Sequence, residues 1–159
     1  MNLFNFFRKH TFPHGIHPEE YKAETNVKPT RRLPFAPEIS VLLAQSIGKP
    51  AKAIVFKGQQ VMRGEVIAEA DGFMSVPIHA PVTGMIKAID SVPSAKGGKQ
   101  VAIIITTALS SGQSVIESDL RQDYQALSRE ALIQAVKNTG IVGLGGAAFP
   151  THVKMSIPK

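Results

Sequence analysis

The chain contains no cysteine, no tryptophan and only two tyrosines in 159 residues. Without thiols it can build no disulfide, no cysteine-held zinc and no iron–sulfur cluster of its own. Long hydrophobic runs are missing as well. The longest apolar stretch, Val101 to Ile105, falls far short of the roughly 20 residues that a membrane span requires. The first ten residues include Asn2, Asn5, Arg8 and Lys9 and hold no apolar segment of useful length. They do not read as a signal peptide, and a soluble, cytoplasmic chain is expected. Leu3, Phe4, Phe6 and Phe7 beside Arg8 and Lys9 suit a frayed terminus, a partner surface or a membrane interface.

Charge of one sign is not concentrated anywhere. The formal net charge is +6, but it is spread as +3 over residues 1–33, +2 over 34–110 and +1 over 111–159. Arg8-Lys9 and Arg31-Arg32 are the only local pairs. A nucleic-acid footprint clusters on one face and interleaves with aromatic residues. No nucleic-acid partner is therefore expected, and a mildly basic surface for an acidic partner or anionic membrane fits better.

What the chain does have is punctuation. Its thirteen glycines and eleven prolines are more than a helical bundle carries and point to short strands joined by turns. Pro13, Gly15, Pro18, Pro29, Pro34 and Pro37 interrupt any helix before residue 39, since each proline removes a backbone donor and biases its predecessor to extended geometry. Residues 1–38 read as an extended amino-terminal arm.

From residue 39 to 110 short apolar runs alternate with glycines. Ala53 to Phe56 ends at Lys57-Gly58, Glu65 to Ala70 is followed by the hairpin signal Asp71-Gly72, and Ser75 to His79 leads into Ala80-Pro81. Met85 to Ile89 and Gln100 to Thr106 flank the flexible Ser94 to Gly98. Turn signals every 8–12 residues predict a small all-β sandwich or barrel. Residues 111–127 then read as a linker. Ser128 is a good helix N-cap, Leu127 and Leu132 suit a hydrophobic staple, and Gly140 closes a helix predicted over about 129–139.

That helix leads into Gly143-Leu144-Gly145-Gly146-Ala147-Ala148-Phe149-Pro150-Thr151, with Lys154 one turn beyond. Glycines at 143, 145 and 146 permit backbone dihedrals closed to other residues and let a ligand approach without a side chain in the way. Successive N–H groups ahead of a helix start attract a phosphate, Lys154 adds positive charge, and Phe149 offers a ring face. The bland alternative is a glycine-rich turn with Pro150 opening the next element.

Two resemblances organise these features. Phe56 to Ile67 followed by His79-Ala80-Pro81-Val82-Thr83-Gly84 resembles the biotinyl/lipoyl-type β-sandwich, or barrel-sandwich hybrid. A carrier of that type presents a modified lysine at the tip of its central hairpin. The corresponding tip here, Glu69 to Ser75, has no lysine, so no covalent lipoyl or biotin is expected. The string Gly143 to Lys154 resembles the FMN-binding motif of the flavoprotein subunit of respiratory complex I. It is more similar still to the C subunits of ion-translocating Rnf electron-transport complexes, which also match Gly15-Ile16-His17-Pro18 and the Ala-Pro-x-x-Gly element.

The Rnf resemblance implies a mainly β lipoyl-like sandwich at 39–110, preceded by the arm. At 128–159 it implies the first helix and glycine loop of an α/β nucleotide-binding domain for FMN and NADH. Gly143, Gly145, Gly146, Ala147, Phe149 and Lys154 are the cofactor-binding residues it implies, with no catalytic residue and no metal ligand. Ala148 stands where the complex I motif has a glycine, and its methyl narrows the pocket. Relatives continue into the rest of that domain and cysteine-rich segments for two [4Fe–4S] clusters. The chain is thus expected to be an amino-terminal piece of a NADH-linked oxidoreductase and translocase, inactive alone. The implied setting is peripheral, on the cytoplasmic face of a bacterial inner membrane, with the other subunits of the complex as partners. A cofactor-free docking module, or the related sodium-translocating NADH:quinone reductase subunit, are the alternatives.

His10, His14, His17, His79 and His152 do not fall at metal-ligand spacing. His79 reads as a strand-end residue holding a turn by hydrogen bonds. Glu117, Asp119 and Asp123 read as a solvated linker face, and no nucleophile sits in a recognisable elbow.

Overall fold

The computed structural model describes residues 19–95, 97–116 and 123–156. The Gly15–Pro18 motif, the leading phenylalanines, His14, His17, Glu117 and Asp119 lie outside the described residues. The chain divides into two compact units, Met1–Leu33 and Pro34–Lys159. In the first, the described residues are all exposed. They hold one 3-10 turn at Lys22–Glu24, entered through Tyr21 at φ +50°, and an exposed Lys22–Glu20 ion pair.

The second unit is mainly β and forms a barrel-sandwich hybrid. Strands β1 (Glu38–Leu42), β2 (Lys52–Ala53), β3 (Gln60–Val61), β4 (Val66–Glu69), β5 (Ile78–His79), β6 (Gly84–Pro93) and β7 (Lys99–Thr107) make two antiparallel sheets. Their orders are β1-β7-β6-β3 and β2-β4-β5. The β6–β7 hairpin is the spine, running in register from Gly84↔Thr107 to Pro93↔Lys99. Its turn needs glycine, because Gly97 and Gly98 take φ of +88° and +68°. A register shift between Ile86 and Ala88 adds Lys87 as a bulge, which increases local twist and helps the sheet curl.

Apolar residues facing inward from both sheets make one core, including Val41, Val61, Ile67, Ile86, Ile103 and Ile105. Ile67, Ile103 and Ile105 have no accessible surface at all, and each such side chain contributes about 1.5–3 kcal/mol by leaving water. The predicted strand at 53–56 shortens to Lys52–Ala53. Its continuation still bonds, Ile54 N donating to Ile67 O at 3.1 Å, and Val55 is buried. Asp71-Gly72 does not form a tight two-residue turn. It opens a longer loop over 70–77 in which Gly72 takes φ +96° and Ser75 N donates to Gly72 O.

The segment after β7 is fixed at its start by one side chain. Gln113 Oε1 accepts from Thr83 N at 2.8 Å, and Gln113 Nε2 donates to both Thr83 O and Ala108 O. Arg63 Nη1 bonds Gln113 O, and Ile116 N donates to Arg63 O. Further on, α1 (Arg129–Asn138) is capped by Ser128, whose Oγ accepts from Ala131 N at 3.1 Å. Gly140 follows at φ +71°. A two-stranded ribbon, β8 (Val142–Gly143) with β9 (Phe149–Pro150), then runs into α2 (Thr151–Met155).

Candidate functional site

The glycine string forms the hairpin that joins β8 to β9. Gly143 pairs with Phe149 in the ribbon, so residues 144–148 are its tip, closed by Gly146 N donating to Gly143 O at 3.4 Å. Lys154 folds back from α2. Its Nζ lies 5.9 Å from the Phe149 ring centroid and 2.7 Å from where a Cβ on Gly143 would sit. Gly143, Phe149 and Lys154 are thus brought together, with the ammonium resting on bare backbone. The cation–ring contact contributes on the order of 0.5–1 kcal/mol at such an exposed site. Gly145, Gly146 and Ala147 are exposed at the tip, and a Cβ on Gly145 or Gly146 would meet nothing within 4 Å.

The loop glycines do not take the dihedrals expected of them. Gly143, Gly145 and Gly146 are not among the residues with positive φ; Ala148 is, at +53°. The left-handed residue that lets the hairpin return into β9 is the alanine. An L side chain there costs roughly 1–2 kcal/mol. Ala148→Gly is expected to stabilise the fold by about 1 kcal/mol, seen as a higher urea midpoint with an unchanged slope. An unchanged or lower midpoint would show that the tip is not strained.

Nor do the glycine amides run straight into a helix. β9 intervenes, and α2 has five residues, with Pro150 at its N-cap position and no side-chain cap. The loop offers open backbone beside one cation and one ring, and a short helix adds little field.

The larger concavities lie elsewhere. Two clefts, of about 600 and 840 Å³, flank the ridge where Pro77 and His79 meet Thr139 at the end of α1. Gly140 is required at this seam, since a Cβ there would come within 2.6 Å of Pro77 O. The 600 Å³ cleft runs beside β1 and is lined by uncharged side chains such as Ile39, Gln45 and Gln100. The 840 Å³ cleft carries Glu69 and Lys137 on its wall. His79 lines both.

His79 makes no side-chain hydrogen bond among the described residues, contrary to the turn-holding role expected of it. Burial pushes its pKa below 6.5, because desolvation disfavours the imidazolium. Above pH 6.5 the imidazole is neutral folded or unfolded, and this contribution to stability is complete. As pH falls through 6.5 the unfolded chain takes the proton first, so stability drops until the lower folded pKa is passed. His79→Gln should flatten the slope of stability between pH 7 and 5, measured by urea unfolding at several pH values. An equal slope in both proteins would exclude His79 as its source.

No group of three or more metal-ligating side chains occurs among the described residues. No helix there is long and apolar enough to cross a membrane.

A curled two-sheet module, lysine-free over Glu69 to Ser75 and followed by a glycine hairpin, defines a barrel-sandwich hybrid. A family model described as the RnfC barrel sandwich hybrid domain matches residues 10–109, and the chain belongs to that family. It is 37% identical over 158 residues, 98% of its length, to the C subunit of the ion-translocating oxidoreductase complex of Salmonella newport. The same identity and coverage hold for the subunits of that name in Salmonella gallinarum and Salmonella dublin. The chain spans 21%, 23% and 22% of these relatives, respectively, so it corresponds to about a fifth of their length.

Proposed function

We propose that the chain is the amino-terminal part of a peripheral subunit of a membrane-bound, ion-translocating electron-transport complex. The intact subunit would take electrons from NADH through FMN to [4Fe–4S] clusters, docked on the cytoplasmic face of a bacterial inner membrane. Residues 1–38 would be an arm reaching partner subunits, 39–110 the docking sandwich, 111–127 a linker and 128–159 the opening of an α/β nucleotide-binding domain. The relatives' shared name and extent support this reading, and one observation carries it to the cofactor. Gly143, Phe149 and Lys154 converge beside open backbone at Gly145 and Gly146.

These residues fit one side of a flavin mononucleotide. Gly145 and Gly146, free of neighbours within 4 Å, leave room for the cofactor to lie against the chain with Ala147 at the rim. Lys154 would hold its anionic group, and Phe149 would bound the ring system. FMN, when bound, takes up two electrons as hydride and passes them on singly. The chain's own part is to bind and orient. Being without cysteine, it supplies no thiolate to a cluster.

One loop with part of a domain cannot enclose a nucleotide. The 159-residue chain is therefore expected to show no saturable FMN quenching at micromolar concentrations, whereas a subunit of its relatives' length should. In that longer protein Lys154→Met should weaken FMN about tenfold, the worth of one charge-assisted hydrogen bond. Failure of the long subunit to take up FMN, or an unaltered affinity in the variant, would sink the flavin assignment. A docking role without cofactor is the second reading, favoured by the large clefts beside Pro77 and His79 rather than at the loop.

A further inference from the structure

The tip of the β4–β5 loop, where a carrier domain would show its lysine, is not idle here. His152, on α2, is 2% exposed, and its Nε2 lies 2.8 Å from Phe73 O. A carbonyl can only accept, so Nε2 carries a proton and donates it; Nδ1 has no hydrogen-bond partner among the described residues. The Phe73 ring stands edge-on to the same imidazole, centroids 5.9 Å apart at 82°. Two further contacts converge. Ile47 N, in the β1–β2 loop, donates to Ala148 O at 3.4 Å in the glycine hairpin. The next residue, Gly48, lies so near Met74 that an added Cβ would sit 2.7 Å from the Met74 Cβ.

We propose that the β4–β5 loop serves as an intramolecular clamp, in which Phe73 holds His152 and thereby positions the glycine hairpin and Lys154. His152 is two residues from Lys154 and three from Phe149, so a fixed imidazole fixes where α2 leaves β9. That fixes where the ammonium can reach. The inference rests on the flavin reading only for its purpose; the clamp itself is a statement about packing. His152 and Phe73 are positioning residues and touch no cofactor.

The magnitudes separate the two partners. Phe73 is 60% exposed, so its ring loses little water in the contact. The hydrogen bond is part-buried, with its donor on the buried His152, and removing that donor leaves the Phe73 carbonyl facing an apolar ring. His152→Phe keeps volume and ring edge but removes the donor. His152→Gln places an amide N–H near the same carbonyl and serves as the rescue. Phe73→Ala leaves the carbonyl in place and removes only the ring.

Amide hydrogen exchange on the 159-residue chain reads the clamp directly. His152→Phe should speed exchange at 142–150 about tenfold, with β6–β7 amides unchanged as the internal control against global loss of fold. His152→Gln should restore slow exchange, and Phe73→Ala should fall between. Unchanged exchange at 142–150 in His152→Phe, or equal acceleration across β6–β7, overturns the clamp, as does a glutamine variant no better than phenylalanine. In the longer subunit FMN affinity should follow the same order. If wild type there takes up no FMN, the flavin reading fails while the exchange result still decides the clamp. If FMN binds equally in all variants, the positioning of Lys154 is refuted.

Discussion

Replacing Gly84 by alanine should remove about 3 kcal/mol or more of stability, a large part of what a domain of this size has to lose. Gly84 opens β6 and pairs with Val61 on one side and Thr107 on the other. An added Cβ would lie 2.2 Å from Thr106 O and 3.0 Å from a methyl of Ile105. Neither neighbour can retreat. Thr106 also pairs with Glu38 of β1, and Ile105 is fully buried, so relief requires parting two ladders at once. Gly58→Ala is the control. Gly58 has φ +86° but open space around its missing side chain, so that change should cost only about 1 kcal/mol of backbone strain. Urea denaturation of the two variants measures the difference. A Gly84→Ala midpoint within about 0.5 kcal/mol of wild type, the range of a neutral surface change, would show that the strands can separate at no cost.

The second large effect belongs to Ile103. It lies in β7 between Val41 of β1 and Ile89 of β6 and has no accessible surface. Ile103→Ala should cost about 3–4 kcal/mol, the lost transfer energy plus the cavity left in a sheet that cannot collapse onto it. Val101, two residues earlier on the same strand, is 47% exposed. Val101→Ala should change stability by less than about 1 kcal/mol, because little apolar surface is removed from the core. Equal losses at the two positions would mean that the core is not where the inward faces of the sheets put it.

Much of the fold was legible because turn chemistry and apolar spacing are local. Gly97 and Gly98 marked the β6–β7 turn, Ser128 and Gly140 bounded α1, and Gly58 marked a turn that takes positive φ. The misjudged pieces depended on distant partners. Val55 reads as strand and is buried, yet the ladder of β2 stops at Ala53. Gln113 carried no signal at all, since its three side-chain bonds go to Thr83 and Ala108. His152 was one histidine among five until the loop at 70–77 closed over it.

The candidate site shows the same division. Residue identity alone excludes a lipoyl or biotin group at the hairpin tip, because a missing lysine needs no geometry to rule out an amide link. It also places open, glycine-bearing backbone near one lysine and one phenylalanine. Only packing decided that Ala148, not a glycine, takes the left-handed turn. Packing decided too that Lys154 lies against Gly143, and that His152 and Phe73, far apart in the chain, meet at 2.8 Å. The physical reason is range: φ preferences and covalent chemistry act within a few residues, whereas a side chain's partners are chosen by how sheets and helix pack.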